Sequence, residues 1–198
     1  MEIDVLQTLL ALSVGVSLAA ACGFRVFVPL LTLALGVRYL GLQIDDSLSW
    51  VSSDAAIICL GVASIVEILA YYIPVIDNLL DTITGPAALV AGTLVTAGVL
   101  GDLPDWMQWG TGIIAGAGAA GAVQLSTSAV RVTGTTTTAG ISNPIISTIE
   151  NILATIGSVL AVFMPLLAVI GAVLMIFLTF IFLRRVRDSI ARRRSVTA

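Results

Sequence analysis

At 198 residues, 58% hydrophobic and 11% charged, with mean hydropathy +1.09 and formal charge −3, the chain is too apolar for an ordinary soluble domain. A run of about 20 apolar residues crosses a hydrocarbon layer roughly 30 Å thick, so this length allows six or seven crossings and no soluble catalytic module. Histidine is absent and all nine basic residues are arginine, which excludes histidine-based catalysis, haem ligation by histidine and a lysine Schiff base.

The start, Met1-Glu2-Ile3-Asp4, lacks the positive segment of a cleaved signal peptide, so the first apolar run is expected to remain as a helix. Residues 5–42 are apolar for too long to form one perpendicular helix. Cys22-Gly23-Phe24-Arg25, with Pro29 beyond, breaks the run into helices near 5–22 and 27–41, the alternative being one kinked or re-entrant segment. An acidic loop, 43–54, precedes a third helix at about 55–72. Pro74 suits the first turn of a fourth helix, about 75–99, which Gly85-Pro86 should kink or split.

After a loop at 100–106 comes a fifth helix to about 130, and the threonine-rich stretch 135–142 reads as a further loop. Asn143-Pro144 opens the sixth helix, asparagine as the cap and proline in the first turn. Pro165 divides the remaining apolar run into a sixth and a seventh crossing. The expected fold is an all-α transmembrane helix bundle of about seven helices, six if residues 5–42 form one span. It comprises a single domain, 1–183, and a basic tail, 184–198.

Six of the nine arginines fall in that tail, which by the positive-inside rule places the C-terminus in the cytoplasm and, with seven spans, the N-terminus outside. Trp50, Trp106 and Trp109 then lie beside outer loops, and Tyr71 and Tyr72 at the inner edge, as interfacial aromatics should. Cys22 and Cys59 both fall inside helices and offer neither a disulfide framework nor a metal cluster. Gly112, Gly116, Gly118 and Gly121, like Gly15, Ala19 and Gly23, give small-residue faces suited to close helix packing, within the chain or in a homo-oligomer.

Ionisable residues inside hydrocarbon are costly and mark a functional interior. Ile76-Asp77-Asn78-Leu79-Leu80-Asp81-Thr82-Ile83 recurs, lightly altered, as Ile149-Glu150-Asn151-Ile152-Leu153-Ala154-Thr155-Ile156. With seven spans both copies run from inside to outside at equal depth, a degenerate repeat of parallel sense. Asp77 and Asp81 share one helix face; Asn143, Ser147 and Glu150 share another, with Asn78 and Asn151 beside them. Glu67 lies about two turns inside the third helix. Arg25 and Arg131 end helices on the same inner side and balance these acids in part.

Four acids against two arginines leave two negative charges to be protonated, hydrated or matched by a bound cation. Oxygen ligands favour H⁺, Na⁺ or a hard divalent ion; which metal, if any, stays open. A competing anion site would combine the helix starts at Pro74, Pro86 and Pro144 with both arginines.

Gly23-Phe24-Arg25-Val26-Phe27-Val28-Pro29, Glu67, Ile73-Pro74 with Asp77-Asn78-Leu79-Leu80-Asp81, and the Thr-Thr-Ala-Gly-Ile-Ser-Asn-Pro run to Glu150 resemble a family of small bacterial and plant integral membrane proteins. That family is classed as domain of unknown function 4126, and the resemblance spans nearly the whole chain. It implies a membrane fold and the same polar residues, and no activity. Tyr71-Tyr72 and Gln124 stand where the family pattern has a lysine and a histidine.

The leading expectation is a transporter or channel-like protein for a small ion or solute. The alternative is a non-transporting scaffold or assembly factor that binds lipid or a partner protein. An enzyme is not expected, because no nucleophile–base pair is recognisable. No cofactor or nucleic acid is expected as a partner, membrane lipid is, and the location expected is a bacterial plasma (inner) membrane.

Overall fold

The computed structural model describes residues 4–138 and 142–174, with 177, 181 and 184, and the side chains of all of these except 74, 75, 77, 78, 137 and 138. Among the described residues every regular element is helical. α1 is Val5–Cys22, α2 Phe27–Leu40, α3 Asp54–Ala70 and α4 Pro74–Val99. α5, Asp105–Thr111, leads through a π-helical segment, Gly112–Ala117, into α6, Gly118–Thr138. α7 is Asn143–Phe163 and α8 Pro165–Leu174.

Local chemistry sets most of these limits. Asp4 Oδ1 accepts the amides of Leu6 and Gln7 and starts α1. Ser53 does the same for α3 through the Ala56 amide, and Pro74 and Pro144 occupy first turns where their missing N–H costs nothing. Gly41 ends α2 in the left-handed conformation at φ 69°.

Four stretches are long and apolar enough to cross a bilayer alone: α1, Leu79–Val99 within α4, Asp105–Thr136 and α7. α3 becomes a fifth if the 3-10 helix Asp46–Ser52, bent from it by 65°, is counted with it. α2 and α8 are shorter apolar helices that complete the bundle.

Contacts between helix ends show the alternation. At one end Gln7 Nε2 donates to Asp102 Oδ2 (3.0 Å), and the Asp45 amide to the Gly98 carbonyl (2.8 Å). At the other, Arg25 reaches Asn151 and Glu150, and the Val26 amide reaches Glu67. Consecutive helices α1 to α4 therefore reverse direction, and α4 and α7 run parallel.

α1 is the central stave. Its buried face, Val14 to Cys22, packs on α4, α6 and α7, and Leu18, Val95, Ala120 and Val123 lie in the core. Backbones approach very closely here: a Cβ on Gly92 would stand 2.7 Å from the Gly116 carbonyl oxygen, and one on Gly23 2.5 Å from the Ala120 carbonyl. The small-residue faces are thus occupied inside one chain, except at Gly118, which looks onto open space.

Several expectations need correction. Of the kink or split expected at Gly85-Pro86, the split is absent: α4 continues through Pro86, giving up one i→i−4 bond. α6 runs to Thr138, so residues 135–138 are helix rather than loop; 139–141 lie outside the described residues. The threonines fit because Thr133 and Thr136 return their hydroxyls to the carbonyls of Ala129 and Val132. Asn143 does not cap α7; Ser142 precedes the helix, and Asn143 Nδ2 turns to Thr135 on α6 at 3.3 Å. The tail beyond Arg184 lies outside the described residues.

Candidate functional site

The break between α1 and α2 projects Arg25 into the bundle, where it is 1% exposed. Its Nη1 donates to Glu150 Oε2 at 3.0 Å and to the Phe24 carbonyl at 2.7 Å. Nε donates to Asn151 Oδ1 at 2.5 Å, and Nη2 to the Ser147 carbonyl at 3.2 Å. Arg131, from α6, approaches the same carboxylate from the other side. Its Nε donates to Glu150 Oε1 at 3.1 Å, and its Nη2 bonds Glu150 Oε2 and the Ser147 hydroxyl.

Glu150 is therefore held by two guanidiniums, all three side chains being buried. Arg131 Nη1 also stands 3.8 Å from Asp81 Oδ1, on the half-buried flank of α4. One arginine thus faces two carboxylates, one deep and one nearer the surface.

Tyr71, just past α3, fills the space between the arginines. Its ring centroid lies 3.9 Å from the Arg25 guanidinium carbon and 4.4 Å from that of Arg131. Its hydroxyl pairs with Thr84 on α4 at 3.1 Å, and Gln124 Nε2 donates to the same Thr84 oxygen at 3.4 Å. The expectation of an interfacial pair is corrected here: Tyr71 is buried, and Tyr72 alone is exposed. Thr148 spends its hydroxyl proton on the Pro144 carbonyl, so Tyr72 donates to Thr148 at 2.9 Å. Asn151 Nδ2 donates to Tyr72, linking the exposed ring to Arg25.

Glu67 has a different task from the one its depth suggests. Its two oxygens accept the amides of Val26 (2.8 Å) and Phe27 (3.0 Å), the first amides of α2. Val26 supplies no cap of its own, so a carboxylate from α3 closes the positive end of α2 and fixes the turn that carries Arg25.

Of the residues singled out in the sequence, Arg25, Arg131, Ser147, Glu150 and Asn151 meet in one network, with Asp81 at its edge and Glu67 behind it. Asn143 sits apart, on Thr135. The side chains of Asp77 and Asn78 lie outside the described residues. Tyr71, Thr84 and Thr148 were not singled out as site residues, although an aromatic followed by a polar helix face was the available signal. The anion site built on three helix starts loses one of them, since Pro86 is interior to α4.

Chemically the cluster is a carboxylate in a double arginine clamp. Each guanidinium offers directed donors that match carboxylate oxygens. In low dielectric such a group is costly to assemble and more costly to leave half complete.

No curated protein and no solved structure gives a significant match to the chain. A family model matches residues 12–185, most of the 198 and all of the site: the chain belongs to the family described as a domain of unknown function, DUF4126.

Proposed function

We propose that this integral membrane protein is a small transporter or channel-like protein that moves a small ion, proton or solute through the Arg25–Glu150–Arg131 region. The observation that carries the reading is the position of Arg131, bonded to buried Glu150 and 3.8 Å from the partly exposed Asp81. An arginine between two acids can shift from one to the other, and a shift of Arg131 toward Asp81 opens Glu150 Oε1 to a proton or cation while Arg25 keeps Oε2. Buried ion pairs are a poor source of stability compared with apolar packing, so a cluster of this cost calls for a task beyond holding helices together.

The octapeptide repeat supports the same reading. Its apolar positions, Ile76 and Ile149, Leu79 and Ile152, Ile83 and Ile156, are exposed alike on α4 and α7. Asp81, on the half-buried flank of α4, is matched by the buried Ala154, while Glu150 places the second copy's acid in the interior. On this proposal the chain is one transmembrane domain in a bacterial inner membrane. The arginine-rich tail is then cytoplasmic and the acidic loops outside.

A scaffold or assembly factor is the second reading. It is favoured by the completeness of the clamp, in which both Glu150 oxygens are bonded and Tyr71 is covered by two guanidiniums. Flux in proteoliposomes separates the two. Transport requires H⁺ or Na⁺ movement above that of empty vesicles and its loss in Asp77→Asn combined with Glu150→Gln. Flux equal to empty vesicles leaves the scaffold.

A further inference from the structure

At the end of the bundle opposite the arginine clamp, a cavity of about 400 Å³ opens between the start of α1, the segment after α2 and the end of α4. Leu10, Val14 and Val99 form its floor; Asp4, Gln43 and Asp102 stand at its lip. The size is within the range of about 300–1,000 Å³ typical of small-molecule sites.

The lip is already shaped by hydrogen bonds. Asp4 uses Oδ1 to cap α1, and Asp102 uses Oδ2 to accept Gln7 Nε2. Each carboxylate therefore keeps a second oxygen outside these bonds, at the mouth of an apolar hollow.

The charge around it is mainly negative. Asp45, Asp46, Asp54 and Asp105 belong to the same end, and Arg38, the cation there among the described residues, pairs with Asp54 at 3.0 Å. A surface of this kind draws cations and repels anions. A hydrated metal ion would gain nothing from the leucine and valine floor, and a neutral oil would gain nothing from the aspartates. A cation with an apolar body satisfies both halves.

We propose that this cavity binds a lipophilic organic cation, its charge at Asp4 and Asp102 and its body on Leu10, Val14 and Val99. The site is separate from the Glu150 cluster and independent of any flux through it.

The test is calorimetric titration of tetraphenylphosphonium into the purified full chain in an uncharged detergent, with neutral triphenylphosphine oxide as the control. Asp4→Asn with Asp102→Asn retains an oxygen for the α1 cap and for Gln7 while removing both charges. The expected result is saturable binding of the cation, at least tenfold weaker in the double variant, and no saturable binding of the neutral control. Val14→Phe, which fills the floor and leaves the lip intact, is expected to weaken the cation by a similar factor. Absence of saturable binding to the wild type overturns the proposal, as does equal affinity in the double variant or in Val14→Phe. Because no flux is measured, failure here does not bear on transport, and absence of flux does not bear on this site.

Discussion

Arg131 grips Glu150 side-on, Nε on Oε1 and Nη2 on Oε2, so that each oxygen of the buried carboxylate meets its own N–H. Lysine cannot reproduce that fork. Arg131→Lys keeps the charge but loses one of the two parallel bonds, and Glu150→Gln leaves two buried guanidiniums without their anion. Breaking a buried pair costs about 3–5 kcal/mol. Glu150→Gln should therefore lower the thermal midpoint in detergent by about 10 °C, with Arg131→Lys intermediate. Equal midpoints in all three proteins would mean that the pairing carries no stability.

Glu67 caps α2 with both of its oxygens. Glu67→Gln keeps one acceptor and turns an NH₂ toward the second amide, at a cost of about 2 kcal/mol for the lost bond to a charged acceptor. Hydrogen exchange should accelerate at Val26 and Phe27 and leave α7 amides unchanged. Unaltered exchange at both positions would show that the cap is dispensable.

Two glycines in the same bundle should respond with opposite sign. A methyl on Gly92 meets the Gly116 carbonyl oxygen and Ala120 Cβ, each at 2.7 Å, whereas one on Gly118 meets nothing within 4 Å. Gly92→Ala should destabilise by about 1–3 kcal/mol through overpacking. Gly118→Ala should stabilise by about 0.5–1 kcal/mol through helix propensity. Thermal unfolding of the two variants decides it.

At the other end, Ser47 donates its hydroxyl and its amide to Asp45 Oδ1 and holds that carboxyl below the usual aspartate range. A depressed folded value means that the folded chain binds this proton less readily than the unfolded one. The contribution is complete above the ordinary aspartate value and is lost as pH falls toward the lowered one. It is small, because the site is open to water. Trp50 fluorescence should report loosening of the 3-10 helix on acidification at pH values below 4, and Asp45→Asn should abolish that dependence.

Much of the fold was legible because its punctuation is local. Pro74 and Pro144 mark helix starts by what they do to a few neighbouring amides, and Cys22-Gly23 marks a break that the structure has. The misses have physical causes of longer range. Residues 135–138, which read as loop, continue α6, where Thr136 satisfies its hydroxyl on the Val132 carbonyl one turn back. Pro86 is carried by a helix packed tightly enough on the π-helical segment to survive one lost bond. Of two adjacent tyrosines, one is interfacial and the other is drawn between cations from α6 and the α1–α2 turn, a choice no local pattern encodes. The acids and arginines of the cluster were legible as costly residues. Their pairing, and the backbone partners of Glu67, depend on which helices become neighbours.

Asp81 lies at the edge of the network, and Asn is close to it in shape, so Asp81→Asn can alter ion movement while leaving the Glu150 clamp in place. The most direct measurement is H⁺ and Na⁺ flux into proteoliposomes containing wild type or Asp81→Asn at equal protein density, paired with the thermal midpoint of each. The predicted result is flux at least tenfold lower in the variant with midpoints within a few degrees. Undiminished flux in Asp81→Asn, or wild-type flux no greater than that of empty vesicles, would contradict it.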